Sequence, residues 1–180
     1  MSVRTWLDGA DRLDVAAYTA VARAPTSGLD GAMRRLSGAA DHSVLWFGAA
    51  GLLALTGGGS GRRAAADGVA AIAVTSFVAN VAVKPLALRR RPDIVAAGVP
   101  AVRHVRMPVS RSFPSGHSAS AFAFAAAIGA TRPLTAVPLH ALAALVAYSR
   151  VHTGVHYPGD VLAGSLLGLA LARAVTRARA

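Results

Sequence analysis

Apolar runs recur along the chain, each closed by charged or helix-breaking residues. They cover Val44–Thr56 and residues 69–83, 118–130, 134–148 and 161–175. A helix needs roughly 20 residues to cross hydrocarbon, so each run must draw on its flanks, such as residues 64–66 and 115–117. Ahead of the runs, residues 11–24 read as a short helix broken by Pro25, Ser27 and Gly28. Residues 29–40 set Leu29, Met33 and Leu36 opposite Asp30, Arg34 and Arg35. That is the pattern of an amphipathic helix lying at an interface or covering a bundle. Residues 57–63, four glycines, a serine and two arginines, read as a flexible charged turn, and residues 85–116 as a long polar connection. Gly164 and Gly168 form a small-xxx-small pattern suited to close packing of the last helix. The pattern predicts an all-α fold, a polytopic transmembrane helix bundle of about five spans with amphipathic N-terminal helices. A single domain over 1–180 is expected, with 1–42 as interfacial helices and 43–176 as the transmembrane bundle.

Composition supports the bilayer and narrows the partners. Hydrophobic residues make up 54% of the chain, high for a soluble core of this length. There is no cysteine, so disulfides and thiolate metal sites are excluded. The first residues lack the apolar stretch of a cleavable signal peptide, and insertion is expected to rest on the internal runs. The net charge of +11 resembles a nucleic-acid signature. Its distribution argues otherwise, because much of it sits in short connections and at the C-terminus, where basic residues meet headgroups or cytoplasm. Lys84 is the single lysine in a background of arginine. It is either a position that needs a compact ammonium or a solitary surface lysine.

Alternating the spans places connections 85–116 and 150–160 on one side of the membrane. Residues 57–63, 131–133 and the C-terminus fall on the other. Lys84, Arg91, Ser115, His117, Arg150, His156 and Asp160 can then meet at one face of the bundle. Their chemistry suits a phosphoryl group. A neutral imidazole such as His156 can attack phosphorus, and a carboxylate on its other nitrogen fixes the tautomer and stabilises the imidazolium. Arginine forks match phosphoryl oxygens. Free backbone N–H groups where Pro114-Ser115-Gly116 feeds a helix bind anions, Gly116 lets a phosphate approach, and Ser115 can donate from its hydroxyl. Asp160 is also a favourable residue at a helix start.

Three ordered segments carry a resemblance. Lys84-x6-Arg91-Pro92, then Pro114-Ser115-Gly116-His117, then Ser149-Arg150-x5-His156-x3-Asp160 resemble the signature of the type 2 phosphatidic acid phosphatase superfamily. That superfamily also includes vanadium haloperoxidases and bacterial nonspecific acid phosphatases. The match covers residues 84–160, while the first 40 residues carry little of it. The resemblance implies a helical bundle with a metal-free site and no cofactor. His156 would form a phosphohistidine and Asp160 would hold its ring. His117 would protonate the leaving oxygen and then activate water. Lys84, Arg91 and Arg150, with Ser115 and the Gly116 amide, would cradle the equatorial oxygens. Three fixed cations supply the electrostatic stabilisation that phosphoryl transfer needs.

The function expected is therefore a membrane phosphatase acting on a lipid phosphate or pyrophosphate. The candidates are a prenyl pyrophosphate, a prenyl-phosphoryl-pentose phosphate, phosphatidylglycerol phosphate and phosphatidic acid; no residue selects among them or sets an oligomeric state. Vanadium haloperoxidase chemistry and non-catalytic lipid-phosphate binding or transport are the alternatives. This chain is shorter and more apolar than the haloperoxidases, and binding alone would need only the cations. The resemblance also implies a site on the extracytoplasmic face of the cell membrane, on which the balance of flanking charges is silent. Outside the motifs, Arg89 and Arg90 read as headgroup contacts, and His104 and His152 as solvated loop residues near the site. His140 reads as bonded within the bundle, Trp6 and Trp46 as interface anchors, and Tyr157 as packing beside the site.

Overall fold

The computed structural model describes residues 3–180, without the side chains of Val3, Arg4, Trp6 and Leu7, so the expectation for Trp6 lies outside the described residues. The fold is all-α, a transmembrane helix bundle. Helices α1 (Val3–Arg23) and α2 (Ser27–Ala39) precede a tight 3-10 turn at Asp41–Ser43. Then come α3 (Val44–Thr56), α4 (Gly58–Phe77), α5 (Gly116–Thr131), α6 (Pro133–His152) and α7 (Pro158–Ala178). A π-helical stretch, Val78–Val83, extends α4 and ends at Lys84, whose amide donates to the Ala79 carbonyl at 2.9 Å.

Three helical segments are long and apolar enough to cross a membrane: Gly58–Val83, Pro133–His152 and Pro158–Ala178. A fourth arises if Ser27–Ala39 and Asp41–Thr56, bent by 62°, act as one broken span. Their apolar surface faces outward, with Leu55 87% and Leu134 88% exposed. In water such a surface would be an association site; here lipid covers it. The 16-residue α5 is short because it never meets lipid along most of its length. Ala119, Ala121, Ala123, Phe124, Ala125, Ala127 and Ile128 are fully buried between α4, α6 and α7.

Small residues let these helices approach. A β-carbon at Gly164 would overlap the Ser115 carbonyl oxygen, and one at Gly168 the Ala119 carbonyl oxygen. The small-xxx-small pair therefore seats α7 directly on the backbone of α5. The two helix starts are tied as well, the Ser115 amide donating to the Asp160 carbonyl at 2.9 Å.

Two sequence readings are corrected. Residues 58–63 are helical rather than a flexible turn, and Gly57 alone joins α3 to α4. Arg132, from the α5–α6 connection, donates to the Gly57 carbonyl at 3.2 Å, so tertiary contact holds glycines that would not sustain a helix alone. Trp46 is 1% exposed, packed 5.6 Å from the Phe124 ring, and belongs to the core rather than to an interface.

The N-terminal helices are locked to the bundle by a buried ionic cluster. Arg103 is 1% exposed; its Nε donates to Asp30 Oδ1 at 2.8 Å, and its remaining nitrogens donate to the carbonyls of Val21, Ala22 and Ala24 and to Thr26. His152 Nε2 lies 3.0 Å from the same Asp30 oxygen. His152 is thus fully buried at the end of α6, not solvated as expected. Breaking one partner of such a cluster typically costs about 3–5 kcal/mol, which fixes α2 against α6.

Candidate active site

The predicted positions converge at one end of the bundle, where α4 stops, α5 and α7 start and α6 stops. His156 lies on the turn between α6 and α7. Gly154 makes that turn possible with φ +79, a conformation in which its flank meets Ile94, Val99 and the Tyr18 hydroxyl. His156 and Asp160 are 1% and 0% exposed.

Their hydrogen bonds define the histidine tautomer. Arg91 Nη1 lies 3.1 Å from His156 Nε2. A guanidinium only donates, so Nε2 presents its lone pair and the proton resides on Nδ1. Nδ1 faces Asp160 Oδ2 and Ser112 Oγ, each 3.5 Å away. Burial, reinforced by the charges of Arg91 and Arg150 and opposed by Asp160, pushes the His156 pKa down to about 3. The ring is neutral at ordinary pH, the form in which an imidazole can attack phosphorus.

Asp160 is held by more than its histidine. Ser112 Oγ donates to Oδ2, the Tyr157 amide donates to the same oxygen at 2.9 Å, and Arg89 Nη1 lies 3.1 Å from Oδ1. The Tyr157 contact closes a capping box, so the carboxylate both starts α7 and faces the histidine. Arg89 corrects another expectation. It pairs with Asp11, Asp14 and Asp160 and stacks 4.2 Å from the Tyr157 ring centroid, leaving little of it for headgroups. Tyr157 does pack beside the site, against Tyr18.

The cations stand around the histidine. Arg91 is fixed by the carbonyls of Ser110 and Val155, both at 2.8 Å. Arg150 is 1% exposed; its Nη1 donates to the Ser37 carbonyl at 3.2 Å and to Ser37 Oγ at 2.5 Å. Its buried Nε has no acceptor among the described residues. An unpaired buried guanidinium donor is costly. Lys84 Nζ donates to Asn80 Oδ1 at 3.0 Å, and burial together with Arg91 and Arg150 lowers its pKa. A methyl group at Gly116 would stand 3.6 Å from that ammonium, filling space in front of it. Ser115, fully buried, accepts from the Ser118 amide and hydroxyl at 3.4 and 3.1 Å, so its oxygen also caps α5.

On the opposite wall His117 Nε2 contacts Asp41 Oδ1 at 2.8 Å, and Arg150 Nη1 lies 3.6 Å from that oxygen. Beside them opens a cavity of about 170 Å³ lined by His42, Ser43, Ser76, Asn80, Gly116 and Ser120, among others. His42 and Ser43 hold left-handed backbone, φ 53 and 60, an arrangement usually kept by surrounding structure for a purpose. Ser37, Asp41, Asn80, Ser110 and Ser112 were absent from the sequence-based site. Lone polar residues carry no motif, and only the fold brings residue 41 to residue 117. Two other histidines lie apart: His104 bonds the Val99 carbonyl, and His140, as expected, bonds within its own helix.

Known proteins resemble this chain in sequence and in fold. The PAP2 superfamily profile matches residues 64–180. The chain is 36% identical over 165 residues to a decaprenylphosphoryl-5-phosphoribose phosphatase of Mycobacterium tuberculosis, covering 88% of this chain and 86% of that protein. A lipid A 1-phosphatase of Rhizobium etli is 46% identical over 57 residues, 32% of this chain and 25% of that one. Among solved structures, Aquifex aeolicus LpxE superposes with a TM-score of 0.75 at 24% identity, covering 92% of this chain and 95% of the other. The phosphatidylglycerolphosphate phosphatase of Bacillus subtilis gives a TM-score of 0.72, also at 24% identity, over 95% and 86% of the two chains. The profile spans more than half of the chain and the mycobacterial relative nearly all of it, and the chain belongs to the PAP2 superfamily.

Proposed function

We propose that this protein is a metal-independent membrane phosphatase that removes the terminal phosphate of a prenyl-phosphoryl-pentose phosphate through a phosphohistidine. The observation that carries the reaction type is the His156 Nε2 lone pair, on a ring kept neutral by burial and turned toward Arg91, with the charge of Arg150 acting on it. The near full-length similarity to decaprenylphosphoryl-5-phosphoribose phosphatases supports the substrate class. So does the cavity beside His117, whose hydroxyl and amide lining suits a sugar.

In this reading His156 Nε2 attacks phosphorus in line, and Arg91 Nη1 moves from that nitrogen to an equatorial oxygen. Arg150 Nε and Lys84 Nζ, with the Gly116 amide and Ser115, take the others. His117 gives a proton to the leaving sugar oxygen as the P–O bond breaks. It then removes one from the water that attacks the phosphohistidine, and the P–N electrons return to His156. Asp160 holds the Nδ1 proton and balances the imidazolium charge. Positioned cations and a pre-oriented nucleophile suffice for this chemistry. We place the catalytic unit over the whole chain and its site on the extracytoplasmic face.

The test is phosphate release by the detergent-purified protein in EDTA, from a prenyl-phosphoryl-pentose phosphate, a prenyl pyrophosphate, phosphatidylglycerol phosphate and phosphatidic acid. Release from the first, reduced about 10⁴-fold or more in His156→Ala, is expected. Preference for another lipid would replace the substrate class. Binding without release by the folded protein would make it a lipid-phosphate binder.

A further inference from the structure

The geometry points to Asp41, in the N-terminal segment outside the matched family region, as the positioning residue of His117, holding its Nε2 hydrogen so that Nδ1 serves the leaving group and then water. The inference rests on the reading of His117 as the acid and base of a phosphatase. Asp41 Oδ1 is 2.8 Å from His117 Nε2, and the profile match begins only at residue 64. A carboxylate accepts and cannot donate when ionised, so Nε2 must carry a hydrogen. The proton that moves therefore travels through Nδ1.

Several features tie Asp41 to this task rather than to general stability. Its side chain is 49% exposed, so burial does not hold it there. The left-handed residues His42 and Ser43 follow it directly, and both line the cavity at His117. Ser37, one turn earlier, fixes Arg150, so a single N-terminal segment braces two site residues. The charged groups facing His117 are Asp41 from that segment, Arg150 of α6 and Lys84 at the end of α4, with His42 on the shared cavity. Burial and two cations oppose the imidazolium, and among the described residues Asp41 is the carboxylate that faces it. Without Asp41, His117 would face them with no counter-charge.

In the first step, the Nδ1 proton passes to the leaving oxygen as that oxygen takes the P–O electrons and His156 supplies the new P–N bond. In the second, Nδ1 takes a proton from water as the water oxygen bonds phosphorus and the P–N electrons return to His156. Asp41 accepts the Nε2 hydrogen throughout.

The experiment compares Asp41→Asn and Asp41→Glu with the unaltered protein, using an alkyl phosphate lipid and a lipid-linked dinitrophenyl phosphate whose leaving group needs no proton. The quantity read is kcat/KM, which reports the phosphorylation step. For Asp41→Asn the expected loss is about 100-fold with the alkyl leaving group and under about 10-fold with the aryl one, with partial rescue in Asp41→Glu. The alkaline limb of the profile should move to lower pH. The ratio between the two leaving groups is independent of the folded fraction, so a poorly folded variant still gives an answer. Equal losses for both substrates, or no loss, would overturn the role of Asp41. An unaltered protein without activity, with His156→Ala indistinguishable from it, would instead remove the phosphatase reading itself.

Discussion

Two histidine–carboxylate pairs share one end of this bundle, and they are built oppositely. His156 and Asp160 are 1% and 0% exposed, on the turn and helix start that α5 presses against. His117 and Asp41 have side chains 22% and 49% exposed and stand beside a cavity. Under the proposed mechanism, the contrast follows from what each histidine does. A nucleophile needs one lone pair in one direction, which burial and several fixed donors supply. A group that passes protons to a departing alcohol and from an arriving water must border solvent and substrate. Rigidity and access cannot be maximal at one histidine, and in the proposed mechanism they are divided between two.

Asp160→Asn would break the contrast most severely, because it strikes the rigid pair. The amide can turn its NH₂ toward Nδ1 and favour the tautomer in which Nε2 carries the hydrogen and cannot attack. Turnover should fall about 10³- to 10⁴-fold with KM little changed, as measured by phosphate release from the preferred lipid. A loss no larger than that of Asp41→Asn would mean that the buried carboxylate does not set the tautomer.

Ser112→Ala sharpens the same side with a smaller expected effect. The serine is fully buried and donates to Asp160 Oδ2, while the Tyr157 amide and Arg89 remain on the carboxylate. Removing one of several donors to a charged group should lower kcat about 10-fold and leave KM in place. An unchanged kcat would show that the other donors suffice to orient Asp160.

The two pairs also differ in how far they could be read before folding. Lys84, Arg91, Ser115, Gly116, His117, Arg150, His156 and Asp160 lie in three stretches where residue type and spacing go together, and the apolar runs between them dictate a common end. Asp41 is one of the chain's aspartates in a segment with no motif, and His42 and Ser43 are not residues that announce left-handed backbone. Trp46 and His152 were misread for a related reason. A local window shows an aromatic or a histidine near a helix end, but Phe124 and Asp30, far away in sequence, decide their burial. The glycines at 58–63 show the reverse, a local breaker pattern overridden by helix packing and Arg132. Placement that follows from residue types in order was legible; contacts contributed by one chain segment reaching across another were not.

The gentlest probe leaves the protein intact and follows its protons. A histidine in an unfolded chain titrates near 6.5, whereas His156 in the fold is pushed down to about 3, mainly by burial. Between those values the unfolded chain binds a proton that the folded site refuses. The stability contributed by a neutral His156 is therefore complete above about pH 6.5 and is lost progressively as pH falls through that window toward about 3. Imidazole ¹⁵N spectra of histidine-labelled protein in detergent should show Nε2 of His156 unprotonated and Nδ1 protonated from neutral pH down to about 4, with no inflection near 6.5. Assignment comes from the signal lost in His156→Ala. A titration near 6.5 would mean that the ring is hydrated and that its lone pair is not reserved for phosphorus. The two pairs would then be equally open, and the division between a rigid and an accessible histidine would fail.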